Sequence, residues 1–289
     1  MLSRRCSKIY TILPILCEFG AYMKKRWVSA VALCLLTACA VSPTGRKQLL
    51  LMGNNDISQM GLSSFQQIKQ KEKVSTDPRQ NQYVQCVAQA VTRVIPAQFA
   101  ANNPGQWEVV VFDSDDVNAF ALPGGRIGVY TGLLKVAKNQ DQLAAVISHE
   151  VSHVLAQHSN ERLSQSQVAN IGMAAADQVL QNTTTRAPAM AALGLGVQYG
   201  VLMPYSRAHE TEADVLGMQL MAMAGFNPQE SVNLWYSMAA NGKGNQPLEI
   251  LSTHPSDQTR IKQLNAILPQ VQPVYEQAKA GGVRPQCAG

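Results

Sequence analysis

The sequence predicts an α+β fold that is mostly helical and contains a small antiparallel sheet. Apolar residues recur at helical spacing through most of the chain, which is typical of helices with one buried face. Short runs rich in β-branched and aromatic residues lie between residues 107 and 130. With 46% hydrophobic and 15% charged residues, the 289-residue chain has a globular rather than a disordered composition.

Three strands are predicted, at residues 107–112, 117–121 and 126–130. The turn 123–125 (Pro-Gly-Gly) separates the second strand from the third. Glycine adopts positive φ without steric cost, so this turn predicts a β-hairpin. We expect the resulting sheet to lie beside a long helix that begins near residue 141.

The rest of the mature chain is predicted to be helical, with no internal repeat and no linker long enough to separate two domains. Asp56 and Asp141 are predicted to be N-caps, because their carboxylates can accept hydrogen bonds from free backbone N–H groups. An apolar helix at 187–203 is too short to span a bilayer, so we expect it to pack on the domain or cover its cleft. Further helices are predicted at residues 56–73, 78–99, 164–181, 209–224, 228–240 and 256–280.

The first 38 residues have the features of a secretory signal. A basic stretch at residues 24–26 follows Met23 and precedes an apolar run at residues 27–38. Residues 36–39 (Leu-Thr-Ala-Cys) resemble a bacterial lipobox, in which the cysteine becomes the lipidated N-terminus. We therefore expect a lipoprotein whose true initiator is Met23.

These features predict the domain boundaries. Residues 1–38 are the signal region, of which 1–22 are an over-extended start, and residues 39–55 are a tether lipidated at Cys39. Residues 56–289 form a single domain. Alanine rather than aspartate follows the cysteine, which in bacterial lipoproteins is typical of sorting to the outer membrane. The expected location is the periplasmic side of that membrane, reached through the lipid only.

The net charge of +5 belongs to the signal region. Residues 1–38 hold six basic residues and one acidic residue, whereas the remaining 251 residues hold 18 of each kind. The mature chain therefore lacks the basic excess that is typical of nucleic-acid-binding proteins, and we expect no nucleic-acid partner.

Two cysteines remain after the signal region and the lipidation site are set aside, namely Cys86 and Cys287. An exported protein folds in an oxidising compartment, where paired cysteines form disulfides. We expect these two to pair and to attach the C-terminal tail to an early helix.

The sequence His149-Glu150-Val-Ser-His153 is the only His-Glu-x-x-His arrangement in the chain. Residues four apart lie on one face of a helix, so His149 and His153 can bind the same ion. Two imidazoles and a third protein ligand form a catalytic zinc site, in which the neighbouring carboxylate of Glu150 takes a proton from the bound water. A helix that carries two histidines by chance is the alternative.

Spacing alone leaves the third ligand open. His158 is nine residues after His149, whereas the three-histidine zinc helix requires ten and a glycine where this chain has Ala156. Glu210 and Asp214 share one helix face, so one could ligate while the other accepts a hydrogen bond from a liganding imidazole. A solvent-exposed acidic face is equally consistent with their spacing. Glu212 lies about 200° from Glu210 around the helix and should point elsewhere.

Five segments together resemble the zinc metallopeptidase family of HtpX, BepA and the CAAX prenyl endopeptidases. The resemblance runs in the family's order from about residue 50 to 268, and it is greatest to the soluble bacterial lipoprotein-type members. The segments are the His-Glu-x-x-His motif, residues 206–214 (Ser-Arg-Ala-His-Glu-Thr-Glu-Ala-Asp), residues 118–125, residues 131–134, and residues 252–255 with Arg260.

This resemblance implies a gluzincin-like zincin fold and a role for each matching residue. His149, His153 and Glu210 would bind one Zn²⁺, and Glu150 would be the general base. Asp214 would support a ligand from behind.

The resemblance also implies roles around this centre. His254 would gate the metal, stabilise the oxyanion, or serve as a turn residue, and Arg260 would support its loop. His158 and His209 are expected to be structural, since neither falls at a ligand spacing. An edge strand would hold an extended substrate by strand addition; it comprises Asn118, Ala119, Phe120 and Ala121.

We therefore expect residues 56–289 to be a metallopeptidase domain that hydrolyses peptide bonds by Glu-assisted attack of zinc-bound water. The substrates implied by the resemblance are misfolded or unassembled envelope proteins, and envelope assembly machinery is a possible partner. The alternative is a periplasmic chaperone or assembly factor whose zinc site has low or regulated proteolytic activity. A structural lipoprotein without metal is a further alternative.

Overall fold

A computed structural model of the chain describes residues 39–241, His254 and residues 258–287. The chain divides into two compact units, residues 1–51 and residues 52–289. The predicted signal region lies outside the described residues.

The described part of the first unit is a β-hairpin. Strand β1 (Cys39–Val41) pairs with β2 (Lys47–Leu49) in antiparallel register. The turn between them contains Gly45 at φ 88° and is closed by a hydrogen bond of 2.9 Å from its N–H to the carbonyl of Ser42. The predicted tether therefore contains local β-structure.

The second unit contains most of the helices and a three-stranded sheet, and the predicted α+β class is confirmed. Its elements in chain order are α1 (Asn54–Lys71), α2 (Pro78–Arg93), β3 (Glu108–Phe112), β4 (Ala119–Leu122), β5 (Arg126–Tyr130), α3 (Thr131–Val136), α4 (Gln140–Leu155), α5 (His158–Leu180), α6 (Arg186–Val197), α7 (Met203–Met223), α8 (Gln229–Asn241) and α9 (Gln258–Ala280).

The sheet is mixed rather than wholly antiparallel. Its strand order is β3-β5-β4, with β4 antiparallel to β5 and β3 parallel to β5. The three strands alternate in direction along the chain, and β5 enters between the other two. It therefore runs parallel to β3, which the local hairpin signal could not indicate.

The β4–β5 hairpin depends on glycine at two places. Gly124 and Gly125 in the turn have φ values of 82° and 77°, as the sequence predicts. In the middle strand, a Cβ at Gly128 would lie 2.3 Å from the ring of Phe120 and 3.0 Å from that of Phe112. The missing side chain lets these two rings stack, with centroids 6.1 Å apart.

Helix α4 lies at the centre of the second unit, where every residue from 142 to 155 is buried. It packs against α7, α2, α8 and strand β4. The N-cap is Asn139, whose side chain accepts a hydrogen bond from the N–H of Gln142 at 2.8 Å. The prediction of Asp141 as the cap is wrong, because its carboxylate accepts instead from the N–H of Asn227 at 2.9 Å. At α1, likewise, the cap position is Gly53 and Asp56 lies in the first turn.

Helix α7 begins six residues earlier than predicted. A π-helical segment, Gln198–Leu202, joins the end of α6 directly to α7. Pro204 lies in the first turn of α7, immediately after the π-helical segment. No residue of α6 is buried.

The C-terminal tail returns to α2 through a disulfide between Cys86 and Cys287, whose sulfurs are 2.02 Å apart. The tail also bonds to the start of α4, where the side chain of Gln140 accepts from the N–H of Cys287 at 2.8 Å. Among the described helices, none is both long and apolar enough to cross a bilayer.

Candidate metal centre

Two helices bring the predicted ligands together. Helix α4 presents His149 and His153 one turn apart, with ring centroids separated by 4.7 Å. Helix α7 lies directly against it and presents Glu210 and Asp214 from the same face. All four side chains are buried. Their burial excludes the solvent-exposed acidic face that the spacing of Glu210 and Asp214 had left open.

A glycine permits this close packing of helices. A Cβ at Gly217 of α7 would lie 3.0 Å from both the N and the Cα of His149 on α4. A contact of 3.0 Å is tighter than nine in ten real Cβ contacts, so a larger residue here would require one of the two helices to shift by a few tenths of an ångström. The position of Glu210 relative to the two histidines therefore depends on a small residue two turns further along α7.

The donor atoms of three residues have the spacing of a tetrahedral zinc site. Nε2 of His149 lies 3.1 Å from Nε2 of His153 and 3.3 Å from Oε2 of Glu210. Nε2 of His153 lies 3.5 Å from Oε1 of Glu210. Zinc bonds of about 2.0–2.1 Å in a tetrahedron place neighbouring donors about 3.3 Å apart. The three residues therefore fit one zinc ion.

His254 brings a fourth donor to the same point. Its Nδ1 lies 2.8 Å from Oε2 of Glu210 and 3.3 Å from Nε2 of His149, and its Nε2 lies 3.3 Å from Oε1 of Glu150. Ligand atoms of the four residues His149, His153, Glu210 and His254 all lie within 4.8 Å of one another. The residues on either side of His254, at 251–253 and 255–257, lie outside the described part of the chain.

Glu150 faces the same centre, where its Oε1 lies 3.3 Å from Nε2 of His254. It is buried, and its Oε1 makes no hydrogen bond within the described residues. With His149 and His254 it lines a small cavity between α4, α7 and α8, whose remaining walls are mostly apolar. A buried carboxylate oxygen left without a hydrogen bond is costly unless it serves a function.

Asp214 and Arg260 form a layer behind His149. Oδ1 of Asp214 lies 3.0 Å from Nδ1 of His149, which is the geometry that holds the imidazole with Nε2 toward the metal. Arg260 on α9 donates to Asp214 through Nε at 2.8 Å and Nη2 at 2.7 Å, and through Nη1 to Glu210 at 3.1 Å. Its guanidinium also lies 3.8 Å from the ring centroid of Trp235. Arg260 therefore supports the ligands themselves, besides any role in the loop of His254.

Sequence reasoning missed a contact behind His153. Nδ1 of His158 lies 2.8 Å from Nδ1 of His153, and Nε2 of His158 lies 3.1 Å from Oε2 of Glu212. Glu212 does point away from Glu210, as predicted, but it contacts His158, which in turn contacts the predicted ligand His153. Residue spacing indicates only which side chains could reach the metal, not which ones contact a ligand from behind. A histidine just past the helix end was the signal for the layer behind it.

The second buried pair is stacked on the first. The ring of His209 lies 4.3 Å from that of His158 at an interplanar angle of 17°. Nε2 of His209 lies 3.0 Å from Oε2 of Glu161. His209 thus lies between His158 and Glu161, and its stacked ring packs against that of His158.

The charges around the ligands shift their pKa values in opposite directions. Burial and Arg260 lower the pKa of His149, but its hydrogen bonds to Asp214 and Glu210 outweigh them and raise it to about 9 in the metal-free protein. Burial, together with the neighbouring His149, keeps the pKa of His153 well below 6.5. Burial lowers the pKa of His158 to about 4 despite the bond to Glu212. Metal-free protein therefore holds a proton at His149 that a metal must displace.

Strand β4 lies at one edge of the three-stranded sheet and packs on α4. Its hydrogen-bonded neighbour in the sheet is β5. Asn118 precedes the strand, where its carbonyl accepts from the N–H of Tyr130 at 3.1 Å. Ala119 and Ala121 are buried and Phe120 is half-buried. The four residues predicted to hold substrate thus occupy the start and the first three positions of an edge strand beside the metal-binding helix.

Comparison with known proteins agrees with this geometry. Residues 78–268, more than half of the chain, match Peptidase family M48. The chain belongs to this family. The predicted family resemblance is confirmed, and the matched range contains every residue of the centre described above.

Relatives within Peptidase family M48 come from fungi, animals and bacteria. "Mitochondrial metalloendopeptidase OMA1" of Schizosaccharomyces pombe is 36% identical over 187 residues, which cover 63% of this chain and 53% of that protein. "Metalloendopeptidase OMA1, mitochondrial" of Bos taurus is 32% identical over 258 residues, covering 83% and 48%. "Beta-barrel assembly-enhancing protease" of Escherichia coli K12 is 26% identical over 226 residues, covering 76% and 45%. The chain spans about half the length of these relatives.

Membership of Peptidase family M48 accords with zinc as the metal for this donor set. Two imidazoles and one carboxylate, with an acidic residue next to the first histidine, form the ligand set of a zinc peptidase. The predicted cofactor is therefore confirmed, while the role of each individual side chain stays a prediction.

Proposed function

We propose that this chain is a zinc-dependent metalloendopeptidase. The observation that carries the proposal is the convergence of His149, His153 and Glu210 at tetrahedral spacing, with the buried carboxylate of Glu150 facing the same cavity. A structural zinc site needs no such carboxylate, since its four positions are closed by ligands. Hydrolysis of peptide bonds needs a base at this place.

Different residues of the chain have different roles in this reaction. Zinc bound here would supply Lewis acidity, which polarises the peptide carbonyl and makes water acidic enough to attack. Glu150 accepts the proton of the attacking water and later transfers it to the leaving amine. Asp214 holds His149 in orientation through Nδ1, and Arg260 holds Asp214 and Glu210 in place.

His254 gives this centre a closed state. Its Nδ1 is as close to Glu210 as the ligand atoms are to one another, so His254 would hold the fourth position that a catalytic zinc keeps open. We infer that His254 gates the metal and must withdraw before substrate enters. The exposed helix α6 contributes no residue to the cavity beside Glu150, so the geometry favours His254 rather than this helix as the gate.

An extended peptide is the substrate that fits this surface. Strand β4 runs past α4 at the sheet edge, and an edge strand offers backbone N–H and C=O groups to an added strand. Residues Asn118 to Ala121 would then position the peptide by main-chain hydrogen bonds, with little demand on its side chains. Such binding suits unfolded segments of many sequences, including misfolded or unassembled envelope proteins.

The location that we propose is the periplasmic side of the bacterial outer membrane, through a lipid on Cys39. The lipobox-like sequence supports the anchor, and the printed name of one relative, "Beta-barrel assembly-enhancing protease", supports a role near envelope assembly machinery. Other relatives are named as mitochondrial proteins, so the family itself does not decide the compartment.

A chaperone or assembly factor with a regulated zinc site is the second candidate function. The closed position of His254 favours it, because a closed centre can hold zinc while cleaving slowly. Both candidates predict a bound zinc ion. They differ in whether the biological effect needs Glu150.

Replacement of Glu150 tests the proposal. Glu150→Gln should keep zinc, because Glu150 is not among the ligands, and should lower cleavage of an unfolded protein by about 100- to 10,000-fold. Zinc is measured by elemental analysis of purified protein and cleavage by release of labelled peptides. Glu276→Gln, on the exposed part of α9, is the matched control and should change neither.

Purified wild-type protein without stoichiometric zinc would overturn the proposal. So would undiminished cleavage by the Glu150→Gln variant. If zinc is present, cleavage is lost in the variant, and an envelope defect of a deletion strain is nevertheless restored by it, then the chaperone function is the biological one.

A further inference from the structure

A chain of buried polar contacts extends from the metal centre through His153 to α7. Nδ1 of His153 meets Nδ1 of His158 at 2.8 Å, and Nε2 of His158 meets Oε2 of Glu212 at 3.1 Å. His158 is 0% exposed and Glu212 is 3% exposed. Such contacts inside a protein core are strong and directional, because no water competes for them.

The order of these contacts determines where the protons lie. A carboxylate oxygen only accepts, so the nitrogen of His158 that faces Glu212 carries a proton. The other nitrogen of a neutral His158 ring is then an acceptor. The proton between the two histidines therefore belongs to Nδ1 of His153, which leaves Nε2 of His153 with a free lone pair. That Nε2 is the atom 3.1 Å from Nε2 of His149.

We propose that His158, held by Glu212, is a positioning residue that selects the metal-binding tautomer of His153 and fixes the orientation of its ring. The inference rests on the proposed function, since it assigns a task within the same centre. Asp214 does for His149 what His158 does for His153. The two ligands of α4 thus have different supports, one an acid and the other a neutral imidazole.

The backbone supports this role by an unusual conformation. Gln157, between α4 and α5, has φ 56°, and it is the only non-glycine residue with positive φ in the described part of the chain. This left-handed residue ends α4 and starts α5 within one turn, so that His158 folds back against His153. Residues other than glycine pay about 1 kcal/mol or more for this conformation.

Packing on the far side holds the ring of His158 in plane. His209 stacks on it at 4.3 Å, and Glu161 lies beside His209 at 3.0 Å. His209 makes no hydrogen bond to His153, although it is as deeply buried as His158. It is therefore a natural control, a second buried histidine in the same cluster without the contact to the ligand.

Zinc affinity tests the inference independently of cleavage. The probe is Zn²⁺ alone, measured by competition with a chromophoric chelator on purified, full-length protein. His158→Phe keeps a ring of similar size and removes both nitrogens, and we expect it to weaken zinc binding about 10- to 100-fold. His209→Phe keeps the ring that stacks on His158 and removes only its nitrogens, so it should change the affinity by less than about threefold.

Rescue by a smaller acceptor separates positioning from simple packing. The amide oxygen of Asn at position 158 can stand where Nδ1 of the imidazole stands, so His158→Asn should recover most of the affinity lost in His158→Phe. Glu212→Gln, which keeps the shape of its side chain, should weaken zinc binding in the same direction but by less. The midpoint of thermal unfolding of each metal-free variant shows whether the fold itself is affected.

Wild-type affinity in His158→Phe would overturn the positioning role while leaving the proposed function intact. Equal weakening in His158→Phe and His158→Asn, with equal losses of thermal stability, would assign His158 to packing instead. If His158→Phe does not fold, Glu212→Gln decides: unchanged affinity overturns the inference. A wild-type protein that binds no zinc would overturn the proposed function, and this inference with it.

Discussion

At the scale of single residues, His254 has two possible tasks with opposite consequences. As a gate it competes with substrate for the fourth position at the metal, whereas as an oxyanion donor it lowers the barrier to attack. Its Nδ1 lies among the ligand atoms, 2.8 Å from Glu210, and its Nε2 lies 3.3 Å from Glu150. These distances support our proposal that His254 closes the centre in its resting state.

Removal of this side chain distinguishes the two tasks. We expect His254→Ala to keep zinc and to raise cleavage of an unfolded protein several-fold, because the closed state is lost. Loss of an oxyanion donor would instead lower kcat by about 100- to 1,000-fold. The measurement is kcat and KM on one labelled substrate. Lys262→Ala, an exposed change on α9, is the control.

Removal of the metal makes the stability of the protein depend on pH through His149. Its pKa rises from 6.5 to about 9 on folding of the metal-free chain. Stability from this group is therefore fully present below pH 6.5 and is lost as pH rises through 9. We expect the unfolding midpoint of EDTA-treated protein to fall across this window.

Zinc reverses this trend, because it must displace the proton from Nε2 of His149. We expect zinc affinity to increase between pH 6.5 and 9 and then to level off. His149→Gln, which has no group that titrates in this window, is the control for the metal-free measurement. A metal-free wild-type protein whose stability is flat from pH 6.5 to 9 would contradict the assignment of the proton to His149.

At the scale of elements, the centre depends on how closely α7 approaches α4. These two helices share more contacts than any other described pair, and Gly217 lies where they cross. The ligands from α4 and the ligand from α7 are rigid parts of their helices. A shift of the crossing by one ångström would move Glu210 out of the tetrahedral spacing that it makes with the two histidines.

Gly217→Ala tests this dependence. The added Cβ would meet the backbone of His149 at 3.0 Å, so one of the two helices must shift by a few tenths of an ångström. We expect unfolding free energy to fall by about 1–3 kcal/mol and zinc affinity to fall with it. The control is Gly172→Ala in α5, where nothing lies within 4 Å of the added Cβ. There the better helix propensity of alanine should stabilise the protein by about 0.5–1 kcal/mol. Stable, zinc-binding Gly217→Ala would contradict the argument.

At the scale of the whole molecule, the Cys86–Cys287 bond joins residues 201 positions apart and holds the tail next to the start of α4. Closure of so long a loop restricts the unfolded chain. We expect reduction to lower the unfolding free energy by about 2–4 kcal/mol, measured by urea unfolding with and without reductant. A Cys287→Ser variant should match the reduced wild type and show no response to reductant. A response in that variant would assign the effect to another group.

The proposed lipid anchor also belongs to the scale of the whole chain, since it would decide where the metal centre works. We expect the protein in bacterial envelope fractions to remain with the membranes, and Cys39→Ser to release it or leave it unprocessed. Cys86→Ser is the matched control, because it removes a cysteine without touching the lipobox-like sequence. Membrane association of Cys39→Ser after complete processing would contradict lipidation at this residue.

Short-range features of this protein were predictable from the sequence by itself. The pairing of His149 with His153 needs only the pitch of a helix, and the hairpin at Gly124 and Gly125 needs only the freedom of glycine to adopt positive φ. The helical character of most of the chain follows from apolar spacing in the same way. Interactions within about five residues determine these features, so the order of residue types reveals them.

Only the tertiary structure decided which distant groups meet. The spacing of the carboxylates of α7 was consistent with either a metal site or a solvent-exposed face, and the packing of α4 against α7 decides between them. The parallel pairing of β3 with β5 could not be predicted from local sequence signals. His158 gained its contact with His153 from one left-handed residue, and its contact with Glu212 from the packing of α7. Such contacts depend on the three-dimensional path of the chain, because residues that are far apart in the sequence become neighbours only when the helices pack together.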